Sequence, residues 1–323
     1  MSEDLVGDAL SRAAEVIAGA PEVALACHVN PDGDALGSML GLHHALRNRG
    51  IRSVASFSEP FLVAPHYREL PGLELLTPPD RFPHDPAVMV TFDSGSLSRL
   101  GDLERAAKSA AELIVIDHHV SNQRYGTINV IDPDAAASGV LVRRLIDRLG
   151  LPLTRDAAVC LYAALVCDTG RFQYESTTPE VFELAGELAA FEVPIAELSR
   201  TLFEEHRFAY LQLLAELLTR ARLVADKEFV WTSVSQADLA RHGVTYEEIE
   251  GLIDVLRRTR EAEVSCVLKE ARDGTWRISL RSVGRVDVRQ IAEAQGGGGH
   301  RFAAGFTSDE PVDTIVAKIL AAL

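Results

Sequence analysis

At 323 residues with 47% apolar side chains, the chain is long enough for two hydrophobic cores. Its 47 acidic and 32 basic side chains leave a formal charge of −15, which argues against a protein that wraps duplex nucleic acid with clustered Lys and Arg. The charge is uneven: residues 1–206 hold 30 acidic and 16 basic side chains, residues 207–323 hold 17 and 16. A phosphate-bearing ligand would need cations to approach the first part, whereas the second could offer arginines directly.

Cys27, Cys160, Cys167 and Cys266 have neither zinc-type pairing nor the density of a disulfide framework, so reduced thiols in a cytoplasmic protein are expected. The first residues lack a basic region followed by an apolar one, and no stretch approaches the roughly 20 apolar residues of a membrane helix, so no membrane contact is expected.

In chain order, helical spacing over residues 3–19 precedes a short apolar run, Val23 to Cys27, that empties into His28-Val29-Asn30-Pro31-Asp32-Gly33-Asp34. Residues 35–49 return to helical spacing, with Asp34 placed to act as a helix cap and Gly50 as a stop. Strands are expected at 51–57, 87–92, 113–116 and 127–131, a Pro-rich connection at 60–86, and helices at 97–111, 137–149, 155–167, 178–191 and 194–225. The texture then changes to a strand at 229–234, a helix at 245–258, strands at 261–269 and 275–282, helices at 287–295 and 311–323, and a glycine run before His300. This pattern predicts an α/β protein: a doubly wound, mostly parallel sheet over 1–194, a helical linker over 195–225, and a smaller α/β domain over 226–323.

In a parallel sheet, functional groups gather at the carboxyl ends of the strands. Leu113 to Ile116 runs straight into Asp117-His118-His119, the strand before it ends at Asp93, and the first ends at His28. Of these, His28, Asp93 and His118 join Asp32, Asp34 and Asp168 in a set of four carboxylates and two imidazoles on one edge. Four carboxylates in one pocket repel one another unless cations neutralise them. The mixed donor set suits two divalent metals, Mn²⁺ foremost, and so hydrolysis of a phosphate ester.

Those residues carry a resemblance. Asp117-His118-His119 resembles the triplet that names the DHH phosphoesterase family, and Gly297-Gly298-Gly299-His300 resembles the signature of the DHH-associated domain that follows it in one subfamily. The resemblance spans essentially the whole chain. It implies that His28 and Asp32 hold one metal, that Asp34, His118 and Asp168 hold the other, and that Asp93 bridges. It implies that Asp117 orients a histidine and that His119 meets the scissile phosphate. The second domain becomes a substrate cap, with Arg281, Ser282, Gly297, Gly298, Gly299 and His300 binding the nucleotide.

The implied substrates are short oligoribonucleotides and adenosine 3′,5′-bisphosphate, with cyclic di-AMP or its linear product as the alternative and a non-catalytic nucleotide sensor as a distant one. Family members are often dimers, which makes a homodimer a state to test. His43, His44, His66, His84, His206 and His242 are read as structural or solvated, as are Arg257, Arg258 and Arg260. Arg285 and Arg301 rank as weaker substrate contacts.

Overall fold

The computed structural model describes residues 3–323. The chain divides into two compact units, one from the start to Val63 with Tyr67–Leu202, the other Ala64–His66 with Phe203–Leu323. Among the described residues, no helix is long and apolar enough to cross a membrane.

The first unit opens with α1 (Glu3–Gly19), β1 (Val23–Cys27), α2 (Gly33–Asn48) and β2 (Ser53–Ser56). Three short 3₁₀ turns occupy the Pro-rich connection before β3 (Val88–Phe92). Then come α3 (Glu104–Ser109), β4 (Glu112–Asp117), β5 (Ile128–Ile131), α4 (Ser138–Arg148), α5 (Arg155–Asp168), α6 (Pro179–Ala189) and α7 (Ile195–Phe203). The five strands are all parallel in the order β2-β1-β3-β4-β5. Every residue of β1 and β3 is buried, as strands covered on both faces require. One face packs Ala24, Met89 and Val115 against the segment around Leu100, Leu103 and Ala107.

The strand order reverses between β1 and β3: the chain leaves β1 for β2 on one side and continues through β3 to β5 on the other. A crevice opens at such a point, outside the carboxyl ends of the strands. His28 follows β1, and Asp93 follows β3.

Close packing of α2 on α5 brings a second pair of carboxylates to this place. A Cβ on Gly37 would stand 2.3 Å from the Cys160 carbonyl oxygen, and one on Gly41 2.9 Å from Leu161. Glycine at these positions lets the two helices approach, and Asp34 in the first turn of α2 shares the centre with Asp168 at the end of α5.

Several sequence expectations shift. The cap of α2 is Asp32, whose Oδ1 accepts from the Ala35 amide at 3.0 Å, while Asp34 lies inside the helix. The helix expected over 97–111 is a 3₁₀ segment, Leu97–Leu103, kinked within itself at Gly101, where φ is +55°, and followed directly by α3. The stretch 194–225 is not one helix: α7 ends at Phe203, and α8 (Phe208–Thr219) is followed by a strand, β6 (Arg222–Val224).

The second unit contains α8, β6, β7 (Phe229–Val234), α9 (Gln236–His242), α10 (Leu252–Leu256), β8 (Val264–Glu270), β9 (Trp276–Ser282), α11 (Val288–Glu293), β10 (Gly298–His300), β11 (Ala303–Ser308) and α12 (Val312–Ala322). Its six-stranded sheet runs β10-β11-β9-β8-β7-β6, parallel only between β7 and β8. An apolar core on one face joins Phe229, Cys266, Leu280 and Phe306 to α11 and α12. A second core on the other face joins Val230 and Val267 to α8, α9 and α10. The final hairpin is legible only in three dimensions, because a Gly-rich strand lacks apolar alternation. Gly297 and Gly299 are required there: their Cβ atoms would stand 2.1 Å from the Gly305 carbonyl oxygen and 2.5 Å from that of Ala303.

Candidate metal centre

Each ionisable group of the first unit's crevice is placed by an element of the sheet or by a helix end. His28 is 3% exposed, and its Nδ1 lies 2.9 Å from the Val29 carbonyl oxygen. That bond takes the Nδ1 proton and leaves Nε2 as the free lone pair. This Nε2 is buried without a hydrogen-bond partner and faces Asp32 Oδ2 at 3.6 Å and Asp93 Oδ2 at 3.5 Å. His118 repeats the arrangement from the end of β4. Its Nδ1 stands 3.0 Å from the Ala135 carbonyl oxygen, and its Nε2 faces Asp93 Oδ1 at 3.5 Å, Asp34 Oδ2 at 3.7 Å and Asp168 Oδ2 at 2.9 Å.

Asp93 thus presents one oxygen to each histidine. It holds this position at φ +53°, a left-handed backbone uncommon for a residue with a side chain. Three groups of candidate ligand atoms share it, His28–Asp32–Asp93, Asp34–Asp93–His118 and Asp93–Asp117–His119, each with its donors within 4.8 Å of one another.

The electrostatics leave the cluster incomplete. Burial, then Asp93 and Asp168, push the Asp34 carboxyl well above its ordinary range. Asp93 goes the other way, held well below despite burial by His28, His119 and His118. Burial and Arg99 pull His28 down, but Asp32 and Asp93 outweigh them and raise it to about 9. A buried imidazole drawn to hold a proton against its neighbours' negative charge marks a place for a cation. The donor set, imidazole nitrogen with several carboxylates, fits divalent cations of the manganese, iron and zinc type.

Asp117 and His119 stand beside these groups with different partners. Asp117 Oδ1 accepts from the backbone amides of His118 and His119 at 2.8 and 3.2 Å and lies 2.7 Å from His119 Nδ1. Its Oδ2 accepts from Asn122 Nδ2 at 2.5 Å. Asp117 is fully buried, whereas His119 is about one-fifth exposed. Burial lowers the pKa of His119, and the Asp117 carboxylate more than restores it, so the imidazole is held above its ordinary value. The result is a ring fixed in orientation through Nδ1 by an anionic acceptor.

Two groups here had no prior signal as site residues. The Ser138 and Gly139 amides, at the start of α4, donate to Asp34 Oδ2 at 2.6 Å and Oδ1 at 3.0 Å, and Ser38 Oγ donates to Oδ1 at 3.0 Å. Ser138 Oγ also donates to Asp93 Oδ1 at 3.2 Å. Asn122 is the second such group, since it clamps Asp117 while also donating to the Ser94 carbonyl oxygen at 3.1 Å. Ser-Gly after three alanines would have been a hint of a helix start, and no more.

The named residues of the second unit lie on its sheet. Arg281 is in β9, with Nε 3.9 Å from Asp254 Oδ1, and Gly298 to His300 form the edge strand β10. Ser282 is committed within its own unit: its Oγ donates to Glu263 Oε1 at 2.8 Å and accepts from the Gly284 amide at 3.1 Å. Of the histidines read as structural, His43 is buried with Nδ1 2.9 Å from Ser53 Oγ, and His44 Nε2 stands 3.0 Å from the Pro71 carbonyl oxygen.

A doubly wound parallel sheet with two carboxylate–histidine clusters at its strand-order reversal defines a class of hydrolase, and the chain belongs to the DHH family. The model of the DHH family N-terminal domain matches residues 22–165, and that of the DHHA1 domain matches residues 228–323. Its relatives include the bifunctional oligoribonuclease and PAP phosphatase NrnA of Thermus thermophilus, 34% identical over 88% of this chain and 83% of that protein. The Bacillus subtilis protein of the same name is 28% identical over 90% of this chain and 91% of its own length. The cyclic-di-AMP phosphodiesterase GdpP of Geobacillus thermodenitrificans is 25% identical over 88% of this chain and 44% of that protein. Among solved structures, an exopolyphosphatase-related protein of Bacteroides fragilis superposes with a TM-score of 0.88 at 24% identity, covering 98% of this chain and 95% of that one, which speaks to the fold alone.

Proposed function

We propose that this protein is a two-metal phosphoesterase of small nucleotides that shortens very short oligoribonucleotides and removes the 3′-phosphate of adenosine 3′,5′-bisphosphate. The observation that carries the reading is Asp93, whose two oxygens each face the Nε2 atom of a different histidine. One carboxylate shared between two imidazoles is the arrangement a pair of cations needs. The two relatives named as oligoribonuclease and PAP phosphatase supply the substrate class.

In this reading His28 and Asp32 hold one cation, Asp34, His118 and Asp168 the other, and Asp93 both. Manganese is the proposed native metal. When bound, the cations lower the pKa of a water and offset phosphoryl charge. The remaining work falls to the chain. Asp117 positions His119 through Nδ1, so that Nε2 meets the scissile phosphate and holds the proton destined for the leaving oxygen. Ser138 and Ser38 hold the carboxylates of Asp34 and Asp93 in place before any cation arrives.

In this reading the first unit is the catalytic part and the second, which takes in α8 and β6 from the stretch 195–225 expected as a linker, is the part that selects substrate, with Arg281, Ser282 and Gly297 to His300 as its contacts. His300→Ala is expected to raise KM roughly tenfold or more while leaving metal content unchanged. Elemental analysis beside steady-state kinetics checks both halves, and loss of metal would make His300 a ligand instead. A homodimer, the state in which family members are often found, would sediment at twice 35.1 kDa and is tested that way.

The direct test is turnover with Mn²⁺ on a dinucleotide, on adenosine 3′,5′-bisphosphate and on cyclic di-AMP. Hydrolysis of the first two supports the proposal. Turnover of the ring alone would transfer it to the cyclic-dinucleotide class, and no turnover of any would refute it.

A further inference from the structure

One arginine of the first unit borders the metal centre without a part in the proposed function. Arg99 belongs to the segment that leaves β3, Ser94-Gly95-Ser96-Leu97-Ser98-Arg99, and this segment is tied down on two sides of the cluster. Toward β4, the Gln123 amide donates to the Gly95 carbonyl oxygen at 2.9 Å, and a Cβ on Gly95 would stand 4.0 Å from that of His119. Toward β1, the Val29 amide donates to the Arg99 carbonyl oxygen at 2.8 Å, so Arg99 is held against the residue that follows His28. The kink at Gly101 closes this end, where a Cβ would stand 2.8 Å from Val29 Cγ2. The segment thus runs from His119 to the end of β1, and it leaves Ser98 and Arg99 exposed.

An exposed arginine is ordinarily just solvated, and it is the neighbour that sets this one apart. Among the described residues its side chain makes no hydrogen bond or ion pair, although Asp102 is three residues on and the Asp32 side chain is 40% exposed at the same centre. Its charge nevertheless reaches His28: burial lowers that imidazole most, Arg99 comes second, and each carboxylate's hydrogen bond to the ring weighs less than Arg99. Among the described residues, no other lysine or arginine is among the principal charges acting on His28, Asp32, Asp34, Asp93, His118 or Asp168. A positive charge that opposes a proton on His28 also opposes a metal cation held there. Without substrate, Arg99 therefore works against the centre it borders. That cost is offset when a phosphate arrives, because its anionic oxygens accept charge-assisted hydrogen bonds from a guanidinium.

We propose that Arg99 is a substrate-binding residue whose guanidinium takes non-bridging oxygens of the phosphate at the metal centre, on the His28 side. Its planar fork can meet two such oxygens at once, which the point charge of a lysine cannot. Every phosphate ester hydrolysed there brings this group to the centre, so the contact serves adenosine 3′,5′-bisphosphate and oligonucleotides alike. This inference rests on the proposed two-metal reading and deepens it: the first unit, acidic overall, supplies one cation of its own to the phosphate.

The test compares the wild type, Arg99→Gln and Arg99→Lys in three measurements: Mn²⁺ affinity of the metal-free protein, affinity of the Mn²⁺-loaded protein for inorganic phosphate, and kcat/KM on adenosine 3′,5′-bisphosphate and a dinucleotide. In Arg99→Gln, Mn²⁺ should bind as tightly as in the wild type or up to about threefold more tightly, since a repelling charge has gone. Phosphate affinity and both kcat/KM values should fall about tenfold or more. Arg99→Lys should keep the wild-type Mn²⁺ affinity and regain part of the affinity for phosphate. Metal and phosphate thus respond in different senses, whereas loss of a structural arginine would weaken both and loss of a solvated one neither. Weaker Mn²⁺ binding in Arg99→Gln, or unchanged phosphate affinity, would overturn the assignment while leaving the two-metal reading intact. A wild type that turns over neither nucleotide overturns the proposed function, and the phosphate measurement still decides the role of Arg99.

Discussion

The two units meet the same problem, a carboxylate taken out of water, in opposite ways. In the second unit Glu263 is 7% exposed, and its Oε1 accepts from the amides of Gly284, Arg285 and Val286 at 3.1, 2.7 and 3.1 Å and from Ser282 Oγ at 2.8 Å. Those bonds outweigh burial and hold the carboxyl below its ordinary value. In the first unit Asp34 also accepts two amides and a hydroxyl, yet burial and the neighbouring Asp93 and Asp168 push it up. A loop that closes around one carboxylate makes a structural knot. Four carboxylates converging with two imidazoles leave an excess of negative charge for a cation from outside the chain to neutralise.

Breaking the open cluster should have the largest effect. Asp93→Ala removes the group both sites share, so bound metal and turnover should both fall, turnover by a factor on the order of a thousand or more. Elemental analysis beside the rate measurement reads this, and full activity with normal metal content would overturn the shared carboxylate. Asp117→Asn should be milder, a loss of about a hundredfold in kcat with metal retained, because the amide holds His119 less firmly and in the wrong charge state. Metal loss in that variant would move Asp117 into the ligand set.

The closed carboxylate should behave as a stability element. Glu263→Ala leaves the Arg285 and Val286 amides and the Ser282 hydroxyl without their acceptor and should cost about 2 to 3 kcal/mol in denaturant unfolding, with metal content unchanged. The smallest effect sharpens the contrast from within the first unit. Burial, then Arg47 and His44, lower the buried His43 to about 4. Its folded value lies below its unfolded one, so the unfolded chain binds the extra proton between the two. Stability should therefore fall as pH drops from about 6.5 to about 4, by at most about 3 kcal/mol, and His43→Gln should flatten that slope. An identical pH slope in the variant would assign the acid sensitivity elsewhere.

The parts of this design that could be read in advance share a reason. Val23 to Cys27, Val88 to Phe92 and Leu113 to Ile116 are continuous apolar runs ending in His28, Asp93 and Asp117, and a parallel strand buried on both faces has no other sequence form. The Gly101 kink, the break between α7 and α8 and the hairpin of β10 and β11 could not be read so easily. Each depends on backbone geometry at glycines or charged residues whose local preferences are weak.

The sequence by itself determined the inventory: which carboxylates and imidazoles leave which strand ends, and that together they exceed what the chain can neutralise. Tertiary structure alone decided their division of labour. The register of β1, β3 and β4 turns one oxygen of Asp93 to His28 and the other to His118. Contact across the glycines of α2 brings Asp34 and Asp168 to the same centre, and the start of α4 supplies the Ser138 amide from 104 residues away. Which atom faces which is set by packing between distant segments, and no local pattern of residues encodes it.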